Sequence, residues 1–132
     1  MKINVSFLII SKKDKKTPLL ACTKEENKEI FIPSFVFSES DYPNIFEFAR
    51  SKFKEISGLN AIDITGKGWV YLHSTGSIVK NNELYIIYGA MIPETLNIKN
   101  TEWISIFEIM EKDFISHEIF SQLIYCFNSM SR

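Results

Sequence analysis

The chain has 132 residues, 45% of them hydrophobic and 23% charged, with a formal net charge of −1. That length fits one domain with one core, and the composition excludes a disordered chain. The near-zero charge gives no electrostatic reason to expect nucleic acid or an anionic membrane as a partner.

Ile3, Val5, Phe7 and Ile9 alternate with Lys2, Asn4, Ser6 and Leu8, a period of two that predicts a strand over Ile3–Ile10. The same run is broken by Asn4 and Ser6 and lacks the continuous apolar stretch of an export signal. No other run is long enough to span a bilayer, so a cytoplasmic protein is expected. Ser11–Lys16 is a charged turn, and Thr17–Thr23 is predicted to return as the second strand of a hairpin. Its four lysines read as a solvated tip. After a polar turn at Lys24–Lys28, a short strand is expected over Glu29–Ile32.

The strongest helix signal starts near Ser40, with Ser40 or Asp41 as the expected cap and Pro43 in the first turn. Tyr42, Ile45, Phe46, Ala49, Phe53 and Ile56 form one apolar stripe at helical spacing, and Gly58 ends it. Leu59–Thr75 reads as strand material broken by Gly66-Lys67-Gly68, and Gly76–Asn82 as a turn. Leu84–Met91 is a strongly apolar strand expected inside a sheet. Ile92–Asn100 is a loop, and Glu102–Ile106 a short strand. A final helix is predicted from Ser116, burying Ile119, Phe120, Leu123, Ile124, Phe127 and Met130. Cys22 and Cys126 lie far apart without Cys-x-x-Cys spacing, which favours buried free thiols over a metal or redox site.

Three stretches bear on function. Ile32-Pro33-Ser34-Phe35, then Ser38-Glu39-Ser40, then Ala49 to Leu59 resembles the Nudix box: Pro-Gly-Gly, Gly-Glu-Ser or Thr, and a helix Arg-Glu-x-x-Glu-Glu-x-Gly-hydrophobic. Glu102-Trp103 with the residues up to Ile109 resembles the family's closing strand, and Glu83–Ala90 its central strand. The resemblance covers nearly the whole chain and implies an α+β fold: a Nudix-like mixed β-sheet flanked by helices, an α/β/α sandwich in a single domain spanning residues 1–132.

The same resemblance implies hydrolysis of a nucleoside diphosphate linked to another group, with divalent metal held by helix carboxylates. Anchored on Gly58-Leu59, the family's arginine falls on Ser51, with Arg50 one residue off. Its glutamates fall on Lys52, Glu55 and Ile56. Residues three and four apart share a helix face, so these positions would form the metal column. Mg²⁺ requires oxygen ligands, and here a cation stands beside one surviving carboxylate. The box glycines fall on Ser34, Phe35 and Ser38, and none of the chain's 5 glycines precedes the helix. A loop that brings backbone N–H groups onto phosphate usually needs glycine, so a tight phosphate cradle is not expected there.

The expected reading is a non-catalytic module that binds a nucleotide-like small molecule or a protein partner, with no cofactor. Its pocket candidates are Phe35, Phe37, Glu39, Lys52, Glu83 and Glu94. The alternative is a divergent hydrolase using Mg²⁺ or Mn²⁺, with Glu55 as its catalytic metal ligand. It needs a second carboxylate borrowed from Glu39, Asp41, Glu47, Glu83 or Glu94. A third reading is assembly, a homodimer included, through exposed aromatics. The bland readings stand beside these. Glu55 pairs with Lys52 on a solvated face; His73 and His117 are structural; Trp69 and Trp103 are core or half-buried strand aromatics. A DNA reader is disfavoured, since there is neither a basic face nor room for a separate helix-turn-helix domain.

Overall fold

Asn4 to Ser11 is buried on both faces, which places this run inside a sheet rather than at its edge. The computed structural model describes residues 2–14, 16–23, 31–38, 42–62, 70–112 and 117–130, and its elements follow the expected order apart from one additional short helix after the last strand. They are β1 (Lys2–Ser11), β2 (Leu19–Thr23), β3 (Ser34–Val36), α1 (Ile45–Ser57), β4 (Ala61–Ile62), β5 (Val70–Tyr71), β6 (His73–Lys80), β7 (Glu83–Ile92), β8 (Thr101–Ser105), α2 (Ile106–Lys112) and α3 (His117–Met130).

The main sheet runs β6-β7-β1-β2-β8, and β3 also pairs with β1. β7 lies parallel to β1 from Lys2 opposite Glu83 to Ser11 opposite Ile92. The other edge of β1 is shared: β3 takes Asn4 to Ser6, and β2 takes Ile10 and Ser11. Alternation along β1 then divides the core. Val5, Phe7 and Ile9 pack with Phe48, Ala49, Phe53 and Ile56 of α1, while Leu8 and Ile10 pack with Ile106, Ile109, Ile119 and Leu123 of α2 and α3. The result is an α/β/α sandwich around a mixed sheet. Among the described residues no helix is long and apolar enough to cross a membrane.

Several boundaries differ from expectation. The cap of α1 is Asn44, whose side chain accepts from the Glu47 N–H at 2.9 Å. The helix therefore starts after Pro43 rather than near Ser40, and Ser40 and Asp41 lie outside the described residues. Tyr42 packs edge-on against Phe48 from outside the helix. Gly58 does end α1, at φ 78°. The short strand is Ser34–Val36; of Glu29–Ile32, Glu29 and Ile30 lie outside the described residues and Phe31 and Ile32 are not strand.

Gly76–Lys80 is strand, not turn. Gly76 sits at a bulge in β6, and the reversal is made by Asn81 and Asn82, at φ 51° and 62°. Asparagine tolerates that left-handed pair, which a tight hairpin turn demands. Gly66 to Trp69 fall outside the described residues. β8 stops at Ser105, whose Oγ accepts the Phe107 N–H, and a short helix unforeseen in the sequence follows. In α3, Ile119 and Leu123 are buried as expected, but Ile124 is 40% exposed. The side chains of Phe127, Met130, His117 and Cys126 are outside the description.

Cys22 is a buried free thiol in β2. Burial, and secondarily the neighbouring Glu102 carboxylate, push its pKa up to about 12. An acid raised in the folded state loses its proton more readily when unfolded. The Cys22 contribution therefore falls as pH rises between the ordinary thiol value of 9.0 and about 12. Urea unfolding at stepped alkaline pH is expected to show stability dropping there by up to about 1.4 kcal/mol per pH unit, and Cys22→Ala to flatten that slope. Two further substitutions separate core from cap. Phe53→Ala is expected to cost about 3–5 kcal/mol through loss of a fully buried ring. Asn44→Ala is expected to cost about 1 kcal/mol. Denaturant midpoints at constant m-value check both.

Candidate functional site

The shared edge of β1 opens a gap in the sheet. β2 pairs with β8 over all of Leu19–Thr23 but with β1 only at Leu19 and Leu20. Where β2 departs, the chain returns along β1: Phe7 donates its N–H to Pro33 O, and Thr23 donates to Phe31 O. The last turn of α1 and the turn before β8 close over the gap, since Lys99 donates its N–H to Ile56 O at 3.2 Å. A cavity of about 120 Å³ results. Its walls include Ser34 and Phe35 of β3, Glu55 and Ile56 of α1, and Lys99 and Asn100.

The polar groups at this place are tightly engaged. Ser34 donates its hydroxyl hydrogen to Ile32 O at 3.1 Å, so Ser6 donates to Ser34 across the 2.8 Å pair between them. Ser34 thus ties β3 to β1 with its side chain. Neither Ser34, Phe35 nor Ser38 has positive φ, so the backbone does not take the left-handed form that the glycines of a phosphate cradle would permit. Asn100 does, at φ 59°, in the turn before β8.

On α1, the Lys52 ammonium lies 3.3 Å from the Glu55 carboxylate and sits over the rings of Phe35 and Phe48 at 5.6 and 5.7 Å. The two rings favour a cation there, and the neighbouring carboxylate balances it. Ile56 completes the column but is only 6% exposed and belongs to the core.

The structure brings Phe35, Lys52 and Glu55 together, and no other candidate among the described residues joins them. Phe37 donates its N–H to Ile3 O and packs edge-on against Phe48, as part of the core. Glu83 accepts from Asn4 Nδ2 and pairs with Lys2 at the start of β7, and Glu94 is exposed just past its end. A strand of that length separates them by roughly 30 Å, so no single site holds both. Glu47 is bound to Arg50, two turns before Glu55. Glu39 lies outside the described residues. His73 bonds Tyr71 through Nδ1, and Trp103 is half-buried, donating to Leu96 O. The sequence reading missed Lys99 and Asn100, because a loop shows nothing of what it closes against.

No family profile and no curated protein matches this sequence. Solved structures do. The NUDIX domain of Shewanella oneidensis NrtR, complexed with ADP ribose, superposes at TM-score 0.65 with 9% identity, covering 93% of this chain and 86% of that one. A NUDIX-family hydrolase from Clostridium perfringens gives 0.62 at 16% identity, covering 98% and 97%. The chain has a Nudix fold. The C-terminal domain of mouse MUTYH, solved with human PCNA, is also similar, at TM-score 0.64 and 9% identity over 99% of this chain and 90% of that one.

Within the Nudix fold, the resemblance implies Mg²⁺ or Mn²⁺ on the α1 column. The side chains there do not fit either ion. Glu55 is the one carboxylate among the described cavity residues, and an ammonium already neutralises it. Among the described residues no group of three or more His, Cys, Asp or Glu comes together. Rebuilding the column is also opposed by the core. Ile56→Glu would place a carboxylate against Phe53 and Ala49, and is expected to destabilise the chain by about 3 kcal/mol or more in urea unfolding at neutral pH. Lys52→Glu, on the half-exposed side of the helix, is expected to cost less than about 1.5 kcal/mol.

Proposed function

We propose that this chain is a metal-independent binding module. In this reading the Nudix fold is kept and the cavity beneath Glu55 receives the anionic end of a nucleotide-like ligand in the cytoplasm. One observation carries it: the Lys52 ammonium sits at 3.3 Å from Glu55, on the column where the family's pattern calls for acids. Charge that a metal would bring is thereby supplied by the protein itself. Lys99 is a lining residue of the cavity and carries a positive charge with no ion-pair partner among the described residues. The Asn100 amide adds hydrogen-bonding capacity beside it. A volume of about 120 Å³ admits one phosphate- or carboxylate-sized group and not a nucleoside. The remainder of the ligand would lie outside, against the Phe35 side.

A thermal-shift series with ADP-ribose, nucleoside diphosphates and dinucleotides, each with Mg²⁺, Mn²⁺ or chelator, tests this. The expected result is a stabilisation of several degrees that survives chelation and is halved or lost in Lys99→Ala, because a ligand bound to the native state raises its stability by mass action. A shift that needs metal, accompanied by turnover that Glu55→Gln abolishes, would establish the hydrolase instead. No shift with any ligand would remove the small-molecule reading and leave a protein partner, for which Phe107 and Met110 on the outer face of α2 are the exposed apolar side chains to substitute first.

A further inference from the structure

The first polar turns of α1 face a different direction from the Lys52–Glu55 column. Counting helical rotation, the stripe Glu47, Arg50, Ser51, Lys54 is centred roughly 140° around the axis from it. This stripe, with the Tyr42 ring and the backbone at Asn60 and Ala61, lines an open groove of about 330 Å³. It shares no residue with the cavity beneath Glu55.

The groove is rich in donors. Arg50 Nε donates to Ala61 O at 2.8 Å and Nη1 to Glu47 Oε1 at 3.2 Å, which fixes the guanidinium plane between α1 and β4. No further acceptor engages its other N–H groups among the described residues. Lys54, one turn on, is exposed and has no ion-pair partner among the described residues. Tyr42 Oη and Ser51 Oγ stand 3.0 Å apart, so one hydroxyl hydrogen is used between them and the other remains. The single carboxylate among the groove residues, Glu47, is already held by Arg50. A guanidinium fork, an ammonium and a hydroxyl therefore border one space, with an aromatic ring beside them. That is the donor set for a tetrahedral oxyanion carrying several acceptor oxygens. The volume matches the lower end of small-molecule sites, which leaves room for an organic moiety against Tyr42.

We propose that this groove is a second anion site, one that takes a phosphorylated small molecule between the outer face of α1 and the start of β4. It is independent of the reading given for the cavity under Glu55. Arg50 orients the phosphate, Lys54 supplies the second charge, and the Tyr42–Ser51 hydroxyl pair contributes the remaining donor.

Amide NMR titration of the full chain with inorganic phosphate, and in parallel with acetate, tests it. The expected result is a saturable response to phosphate at the amides of Arg50, Ser51, Lys54 and Ala61, and a weaker one to acetate. Lys54→Ala is expected to weaken phosphate binding about tenfold, the order for one charge-assisted hydrogen bond. Arg50→Lys, which keeps the charge and loses the fork, should weaken it as well, and Lys99→Ala should leave it unchanged. Lys54 is exposed, so its variant is expected to unfold at the parent midpoint. Non-saturating shifts, equal affinity for acetate, or a loss in Lys99→Ala as large as in Lys54→Ala would each overturn the proposal.

Discussion

The parallel pairing of β1 with β7 is the constraint on which the rest of the molecule depends. It joins the N-terminal strand to one that starts at Glu83, so the chain must complete its first half before the sheet centre exists. Both strands are then enclosed, and β1 presents fully buried side chains to two separate helix layers. Such strands cannot carry unsatisfied polar groups, and the exceptions in β1 are each partnered. Asn4 donates to Glu83, Ser6 to Ser34, and Ser11 Oγ accepts from Lys13 N–H. These three bonds mark the places where β1 meets β7, β3 and the first turn.

Because β7 occupies one edge of β1 completely, every other pairing has to share the remaining edge. β2 takes its C-terminal end and β3 its N-terminal portion, and the sheet forks between them. The cavity is the consequence of that fork. Its walls come from four places distant in sequence: the end of β2, the approach to β3, the last turn of α1 and the turn before β8. The Lys99–Ile56 backbone bond is what makes the last of these a wall rather than a free loop. The geometry here thus follows from strand accounting in the sheet, while its chemistry is set separately by the side chains that happen to reach the gap.

This division explains what could be read from the sequence. Period-two alternation in Ile3–Ile10 and the stripe from Tyr42 to Ile56 are local patterns; the strand formed where its pattern placed it, and the helix formed over all of its stripe except Tyr42, which precedes the cap. The cap of α1 was expected at Ser40 or Asp41, but Asn44, a capping residue in the same stretch, takes that role. Its side chain accepts the Glu47 N–H, one of the donors that the first turn leaves without a helical partner. Gly76 signalled a turn, yet its glycine serves a bulge packed near Gln122, at which a Cβ would stand 3.4 Å from the side-chain amide. α2 is too short to show a repeating stripe, although Ile106 and Ile109 do bury one face. Of the site, the α1 column was legible because its spacing lies within a single helix. The contribution of residues 99 and 100 was not, since it depends on a tertiary bond between segments more than forty residues apart in the chain.

The substitutions on α1 form a consistent set. Losing an acid at position 52 alone would leave Glu55 free to recruit a cation from solution. Placing a lysine there gives Glu55 a cation within the chain, and the rings of Phe35 and Phe48 hold that cation over their faces. Phe35 stands where the pattern has glycine, so the same residue that removes backbone freedom from the loop also supplies the surface for Lys52. Ile56 then extends the core where a third acid would otherwise face the gap. Each replacement makes the others less costly: the ammonium needs the rings, the rings need an extended rather than a left-handed backbone, and the buried isoleucine needs no anion beside it. Under the metal-independent reading proposed above, these side chains act together rather than singly, as one electrostatic arrangement on the Nudix fold.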